Sequence, residues 1–431
     1  MTGPGSAAFW FIACAMAPAA VRAQADAGGC GLVPEPGDPV QTVALVDRVD
    51  PANAPRPSND GERIVFRQLY ETLVTADCHG RAVPALAASW RLEADGRTWT
   101  VTLREGARFS DGSELTPADV RASWIRDAGG NDLRPHVSRL LQSIAVTGDH
   151  ALAIVLRSRR TDAPMALAHP DLSISKSVEG SPWPLGTRDA RVAPDALTVV
   201  RDPLPPIRFV AATGDPRDML DGGIDLLITR EPAALGYAAT LSQFQSLPLA
   251  WQRTHVLITP GRARATPPLS EAQRQALAGD AVRGEARSVQ PPFWWQGVPD
   301  CEQTPAPRRN PPPPTPRLVY DAGDSAARDL AERLVGLGRF QRVAGLRGSS
   351  LALALRQGAD AGYIAAIESR PIDPCRDLQT LADGSRWLDS GAIVALVETR
   401  QRAIVRRGRS GLTTEWDGGI VIAGAGGAAR P

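Results

Sequence analysis

A chain of 431 residues is too long for one small core, and at roughly 150 residues per domain it implies two or three. Its 43% hydrophobic and 22% charged residues are ordinary for a globular protein, and a formal net charge of +1 supplies no field for gripping nucleic acid or an anionic membrane surface. The 38 prolines and 40 glycines imply many loops, and no repeat of solenoid period is visible.

The first segment in chain order is a targeting signal. Ala7 to Val21 is largely apolar, includes Phe9-Trp10-Phe11-Ile12, and is too short to span a bilayer. Ala23-Gln24-Ala25 follows with the small-residue pattern of a cleavage site, which predicts a signal peptide over residues 1–25. No Lys or Arg precedes the apolar run, so a buried N-terminal helix is the alternative. No later stretch is long and apolar enough to cross a membrane. The mature protein is therefore expected to be soluble in the periplasm or outside the cell.

The most informative stretch begins at Arg67-Gln68-Leu69-Tyr70-Glu71-Thr72-Leu73-Val74 and continues through Pro84-Ala85-Leu86-Ala87-Ala88-Ser89-Trp90. Asp95-Gly96 then reads as a turn, because glycine tolerates positive φ. After it Trp99, Val101 and Leu103 alternate with Thr98, Thr100 and Thr102, the period of a half-buried strand. Asp111-Gly112 is a second turn. Thr116 has the character of an N-cap, with Pro117 at the first helical position and Asp119 in the first turn, predicting a helix to about Arg126. The unit reads helix, loop, strand, turn, helix, and none of it carries catalytic chemistry.

In order, spacing and residue type this block resembles the signature of bacterial extracellular solute-binding proteins of family 5, the oligopeptide- and nickel-type receptors of ABC importers. The resemblance is strong to about residue 126 and looser from there to about 417. It implies an α/β fold, a two-lobed periplasmic binding protein of type II with an extra small subdomain on lobe I. Lobe I then spans 26–260 including the signature subdomain, lobe II 261–394, and 395–431 returns to lobe I and ends in a flexible tail.

On that frame Thr42 to Val46 is the first lobe I strand. Ile144 to Leu156 reads as a hairpin about Gly148-Asp149. Asp218 to Ile228 reads as a helix end, a glycine stop and a buried strand, and Trp251 to Thr259 as a strand entering the first hinge. Lobe II begins near Pro268, with a helix capped by Ser270. The proline-rich run Thr304 to Pro316 reads as a stiff connector. Leu318 to Tyr320 with a helix from Ser325 to Leu337 forms one strand–helix unit, and Leu351 to Ile367 supplies another. Ala392 to Val397 carries the chain back.

Cysteine usage agrees with export. Cys14 leaves with the signal peptide, and Cys30, Cys78, Cys301 and Cys375 remain, an even number that implies two disulfides in an oxidising compartment. Of three connectivities, Cys30–Cys78 with Cys301–Cys375 keeps each bridge inside one lobe. A lipid-modified Cys30 is the alternative, although the usual Leu three positions earlier is missing. A metal site is disfavoured, since the four thiols are scattered and no C-x-x-C occurs.

The ligand is expected in the cleft between the lobes, buried by hinge closure. Two departures from the family pattern fall there. At the family's Gly-Thr-Gly-Pro-Tyr turn this chain has Gly186-Thr187-Arg188-Asp189-Ala190, a turn rebuilt with charge. In the segment Gln357 to Pro374, the family's tryptophan falls on Ile367 and its ammonium-binding aspartate on Arg370. A guanidinium there repels an ammonium and suits a carboxylate or phosphate. An exposed Arg370, or one paired with Glu368, is the plainer reading. The candidate ligand-binding residues are therefore Arg370, Glu368, Ile367, Tyr363, Trp294, Trp295 and Arg188. Trp294-Trp295 and Trp183 are stacking candidates that also suit the core.

Enzyme signatures are missing. The five histidines, His79, His136, His150, His169 and His255, are dispersed, and neither H-E-x-x-H nor G-x-S-x-G is present. Gly424 to Ala429 fits a loose dinucleotide pattern without a following helix and reads as a tail. The four arginines between Arg402 and Arg409 read as a solvated loop or a transporter contact. No catalytic residue, cofactor or metal is assigned. The expected partners are a small-molecule ligand and an ABC permease, not nucleic acid. The expected function is solute capture by hinge closure, the solute not being a peptide with a free amino terminus. The alternative is a transport-inactive binding fold acting as a structural or regulatory partner.

Overall fold

The structure, a computed structural model, describes residues 30–33, 37–126, 130–159, 163–194, 197–259, 269–281, 285–289, 315–357, 360–368 and 393–422. The signal segment, the run 304–314, the glycine-rich tail, and Trp294, Trp295, Cys301, Arg370 and Cys375 lie outside them.

Two long strands, Phe244–Ile258 and Ile393–Arg406, pair antiparallel along nearly their whole length and organise everything else. At about 3.3 Å per residue each extends for roughly 45 Å. At one end Ile393–Arg406 pairs with Leu226–Thr229, from which the sheet continues through Thr42–Leu45 and Ile207–Ala211. At the other end Phe244–Ile258 pairs with Asp360–Glu368, followed by Thr315–Asp321 and Arg342–Leu346. Register shifts fall between Pro248, Trp251 and Arg253. Proline has no N–H for the ladder, so the pairing is interrupted at the crossing from one half to the other.

Each half of this sheet has its own core. One is built on Val43, Ile64, Val65, Phe209, Leu226 and Val405. The other packs Leu257, Leu318, Leu330, Leu334, Ile364 and Leu396 beneath helices Glu271–Ala281 and Ser325–Gly336. A separate four-stranded sheet, in the order Ala87–Leu92, Thr98–Leu103, Ala151–Leu156 and Leu141–Gly148, has a third core around Leu103, Phe109, Trp124 and Ile154. No described helix is long and apolar enough to cross a membrane.

Local chemistry explains most elements. Asp95 Oδ1 accepts from Arg97 N and Thr98 N, which closes the turn ahead of the Thr98–Leu103 strand. Trp99, Val101 and Leu103 point inward as their alternation predicts. Thr116 and Asp119 form a reciprocal capping box on the helix Pro117–Trp124. Ser270 and Gln273 do the same for Glu271–Ala281, with Ser270 N donating to Gln273 Oε1 at 3.0 Å. The hairpin about Gly148-Asp149 is present. So is the stop at Gly222-Gly223, where Gly223 has φ +83. The Cys30–Cys78 disulfide is formed, and a sulfur in that bridge carries no thioether lipid.

Four readings need correction. The first signature helix is Asp60–Phe66 and ends before Arg67, because Gln68 leaves the helix to bond across the molecule. Its Nε2 donates to Ile420 O at 2.9 Å, and its Oε1 accepts from Ile422 N at 2.9 Å. Ala87–Leu92 is a strand rather than a loop, held by pairing with Thr98–Leu103 despite its polar face. Thr315 and Pro316 open a strand instead of ending a connector.

The fourth concerns the arginines from Arg402 to Arg409, which are no solvated loop. Ala403 and Val405 alternate with Arg402 and Arg406 in the long strand. Arg402 Nη1 donates to Glu285 Oε1 at 2.7 Å, Arg406 Nε to Ile224 O at 2.9 Å and Arg409 Nε to Asp225 Oδ1 at 2.8 Å. Only Arg407 of the four is exposed.

Candidate functional site

Where the long strands cross from one half of the sheet to the other, charged side chains converge from both halves. The helix Asp60–Phe66 contributes Asp60 and Arg63. It starts there because Asn59 caps it by accepting from Glu62 N at 2.8 Å. Arg230 follows the Leu226–Thr229 strand, while Arg253, His255 and Gln401 stand on the long strands. From the other half come Glu368, at the end of its strand, and Asp324, which caps the helix Ser325–Gly336 by accepting from Ala326 N at 3.0 Å.

These groups form one network. Asp60 accepts from Arg230 at 3.1 Å, Arg253 at 3.0 Å and Gln401 at 3.0 Å. Burial raises the Asp60 carboxyl, but the Arg230 and Arg253 guanidiniums outweigh it and leave the pKa below the ordinary 3.8. Arg63 pairs with Glu368 and reaches Asp417 at 3.7 Å. The Arg63 guanidinium holds the Glu368 carboxyl well below its ordinary range, against the effect of burial. His169 Nε2 lies 3.8 Å from the same carboxylate. His255 Nε2 lies 3.0 Å from Asp324 Oδ2, and although burial raises Asp324, His255 and Arg230 leave it strongly lowered.

Two cavities flank the network. One, of about 30 Å³, lies among Asp60, Arg63, His169, Trp251, Glu368 and Asp417. Since a water needs about 10–15 Å³ by this measure, it has room for roughly two. The other, of about 130 Å³, is bounded by Asp47, Asp60, Arg230, Glu231, Asp324 and Gln401. Burial, then the Asp60 charge, raises the Asp47 carboxyl. Trp251 walls the first cavity and is itself held between two cations, Arg287 at 4.5 Å and Arg400 at 4.6 Å from its ring centroid.

Of the residues singled out from the sequence, Glu368 lines the first cavity. Ile367 and Tyr363 do not face it: they are 4% and 1% exposed in the core behind the strand, where the Tyr363 hydroxyl accepts from Asp360 N at 2.9 Å. Arg188 lies in the turn packed on Leu69, with Glu71, Arg67 and Arg104 as its charged neighbours, and lines neither cavity. Trp183 packs on the core with its ring edge-on to Phe66. The sequence reading missed Asp60, Arg63, Arg230, Arg253 and Asp324, and set His169 and His255 aside as dispersed. They are scattered from 60 to 324, so no local spacing could have assembled them.

Residues 81–193 match the sequence model for bacterial extracellular solute-binding proteins, family 5 (middle region). That stretch resembles the middle region of a family 5 solute-binding protein. Within and beside it the chain is 37% identical over 79 residues to the periplasmic oligopeptide-binding protein OppA of Escherichia coli K12, 18% of this chain and 14% of OppA. It is likewise 37% identical over 82 residues to the nickel-binding periplasmic protein of that organism, 19% of this chain and 15% of the relative. These sequence matches thus span less than a fifth of either relative.

Both are binding proteins, not enzymes. Solved family folds match far more of the chain. NikA of Brucella suis, in complex with Fe(III)-EDTA, aligns at TM-score 0.62 with 15% identity, covering 86% of this chain and 95% of NikA. A dipeptide-binding protein of Pseudoalteromonas sp. SM9913, in complex with Met-Leu, aligns at 0.62 with 13% identity, covering 89% and 99%. The fold is that of the two-lobed type II periplasmic binding proteins, and the long strand pair joins the lobes.

Proposed function

We propose that this chain is the extracytoplasmic substrate-binding component of an ABC importer. It binds a small solute by closing two lobes about the paired long strands. The observation that carries the reading is the convergence of polar groups on one cleft from both lobes: Asp60, Arg63 and Arg230 from one, Asp324 and Glu368 from the other. Capture by closure needs ligand groups on both jaws, so that binding energy is realised only in the closed state. The names of the relatives support a periplasmic binding role. The Cys30–Cys78 bridge supports residence in an oxidising compartment, periplasmic or extracellular.

The solute is not a peptide with a free amino terminus. Arg370 and Ile367 stand where the resemblance puts the ammonium-binding aspartate and the tryptophan, and Ile367 is committed to the core. A thermal-shift screen of di- and tripeptides against compact non-peptide solutes tests this. A tight ligand at 100 times its Kd adds about 2.7 kcal/mol of stability. Non-peptides are expected to be the best stabilisers, and di- or tripeptides at the top of the ranking overturn the assignment.

One observation favours the second reading, a transport-inactive fold serving a structural or regulatory partner. The Arg63–Glu368 pair crosses the cleft and lines the first cavity, which at about 30 Å³ leaves little room for a solute. On that reading Glu368→Gln opens the lobes and still no solute stabilises the protein.

A further inference from the structure

The larger of the two cavities lies where both lobes present the carboxyl ends of parallel strands. In lobe I Thr42–Leu45 and Leu226–Thr229 pair in parallel and run out into Val46-Asp47 and Arg230-Glu231. In lobe II Thr315–Asp321, parallel to both its neighbours, runs out toward Gly323-Asp324. All three of these exits border the same space of about 130 Å³. The crevice outside the carboxyl ends of the strands is where open α/β sheets take their ligands. A cavity of roughly 150 Å³ admits benzene, so this one has room for a body of about six heavy atoms. One wall is apolar, made by Ala44, Leu45, Val46, Ile64 and Ile228.

The charges around this space do not cancel. Asp47, Asp60, Glu231 and Asp324 border it, against the single guanidinium of Arg230. Asp60 is matched by Arg230, Arg253 and Gln401, and Asp324 by His255 and the first N–H groups of its helix. Asp47 and Glu231 are not matched. Asp47 Oδ2 accepts from Gly61 N at 3.3 Å, and among the described residues no cation lies within ion-pair distance of either carboxylate. Arg230 and Arg253 do act on Asp47, but both are bonded to Asp60. Burial, and then the like charge of Asp60, therefore raise the Asp47 carboxyl in spite of them. A partly desolvated carboxylate without a counter-charge is unfavourable, so two of them leave this space short of positive charge. The layout does not suit a metal ion, which needs several oxygens about one point. Among the described residues no three of these carboxylates bring an oxygen each within 4.8 Å of one another.

We propose that this cavity takes the cationic head of a compact amine or guanidine, with Asp47 and Glu231 as its counter-charges and Val46 and Ile228 against its alkyl body. Asp324 and Ser325 border the same space from lobe II, so closure encloses the head from both jaws. The two carboxylates stand on lobe I and not at position 370, where the resemblance puts the ammonium-binding aspartate of peptide receptors. This rests on the receptor reading and narrows it to a small organic cation.

The test is a thermal-shift and calorimetric panel of cations against neutral molecules of the same shape: ethanolamine with ethylene glycol, putrescine with 1,4-butanediol, and methylguanidine with methylurea. Succinate and nickel(II) chloride are run alongside. The proteins are the full chain, Asp47→Asn, Glu231→Gln and, as a control for net charge on the exposed hairpin turn, Asp149→Asn. At least one cation is expected to raise the melting temperature where its neutral counterpart does not. Methylguanidine against the two amines tells the head groups apart. Apparent affinity should fall at least tenfold in Asp47→Asn or Glu231→Gln and stay unchanged in Asp149→Asn.

Without ligand, Asp47→Asn should melt higher than wild type at pH 7, since it keeps an acceptor for Gly61 N and removes the unmatched charge. A carboxyl raised by folding costs stability above its ordinary 3.8, so this gain should vanish as pH falls below that value. A lower melting temperature at pH 7 marks a structural carboxylate and overturns the proposal. Neutral molecules as effective as their cations, succinate or nickel as the strongest stabiliser, or affinity that Asp47→Asn and Glu231→Gln change no more than Asp149→Asn does, overturns the cation site and leaves the receptor reading intact. No stabilisation by any member of the panel, together with no small molecule retained in native mass spectrometry, overturns both.

Discussion

His136 shows how one side chain records its surroundings. Its Nδ1 lies 3.0 Å from Arg56 Nη1, a contact that requires a neutral ring accepting from the guanidinium. Burial first, then Arg56, Arg134 and Arg139, push its pKa down from 6.5 to about 4. Between those values the unfolded chain binds a proton that the folded protein refuses, so stability falls as pH drops from 6.5 toward 4. His136→Gln should flatten that slope in denaturant titrations, and the ring protons of His136 should titrate near pH 4 by NMR.

Glu368 acts over a lower window. Its depressed carboxyl contributes stability that is fully present above the ordinary 4.5 and is lost as pH falls toward the folded value. Glu368→Gln should therefore lower the melting temperature at pH 7 and reduce the loss below pH 4.5. The side chain is 41% exposed, so solvent screens the pair and the effect at pH 7 is small.

At the scale of elements, the signature unit stands on caps and turns more than on amphipathicity. The helix Pro117–Trp124 is two turns long, too short to persist alone, and buries Val120 and Trp124 against the four-stranded sheet. Its capping box satisfies two N-terminal N–H groups at once. Thr116→Ala should cost about 1 kcal/mol in equilibrium unfolding. Thr116→Ser, which keeps the hydroxyl, should restore most of it.

The molecule as a whole turns on the two long strands. Register shifts interrupt their pairing between Pro248, Trp251 and Arg253 and again between His255 and Val256, and irregularities of this kind bend a strand pair. Across that bend Arg63 and Glu368 close the cleft. If the chain works as a receptor, X-ray scattering should show a smaller radius of gyration once a stabilising solute from the thermal-shift panel is added. Glu368→Gln without solute should be more extended than wild type. Identical profiles with and without a stabilising solute would identify a rigid body and sink the hinge.

The signature hairpin and its helix were legible from residue order because their determinants are local. Asp95-Gly96, the Trp99/Val101/Leu103 alternation and the Thr116/Asp119 box act within a few residues of chain. The hairpin at Gly148 and the stop at Gly222-Gly223 were readable for the same reason. The Cys30–Cys78 bridge followed from an even cysteine count and a lobe assignment supplied by the resemblance.

Contacts over long sequence distances decided the rest. Ala87–Leu92 became a strand through its partner, Gln68 left its helix to reach Ile420 and Ile422, and the arginines after Gln401 found acids and carbonyls far back in the chain. The cleft belongs wholly to that second class. Asp60, Arg253 and Glu368 meet only because the antiparallel long strands return the chain to the same crossing. A charge that looks solvated in sequence is recognised as a site residue only once its distant counter-charge is placed.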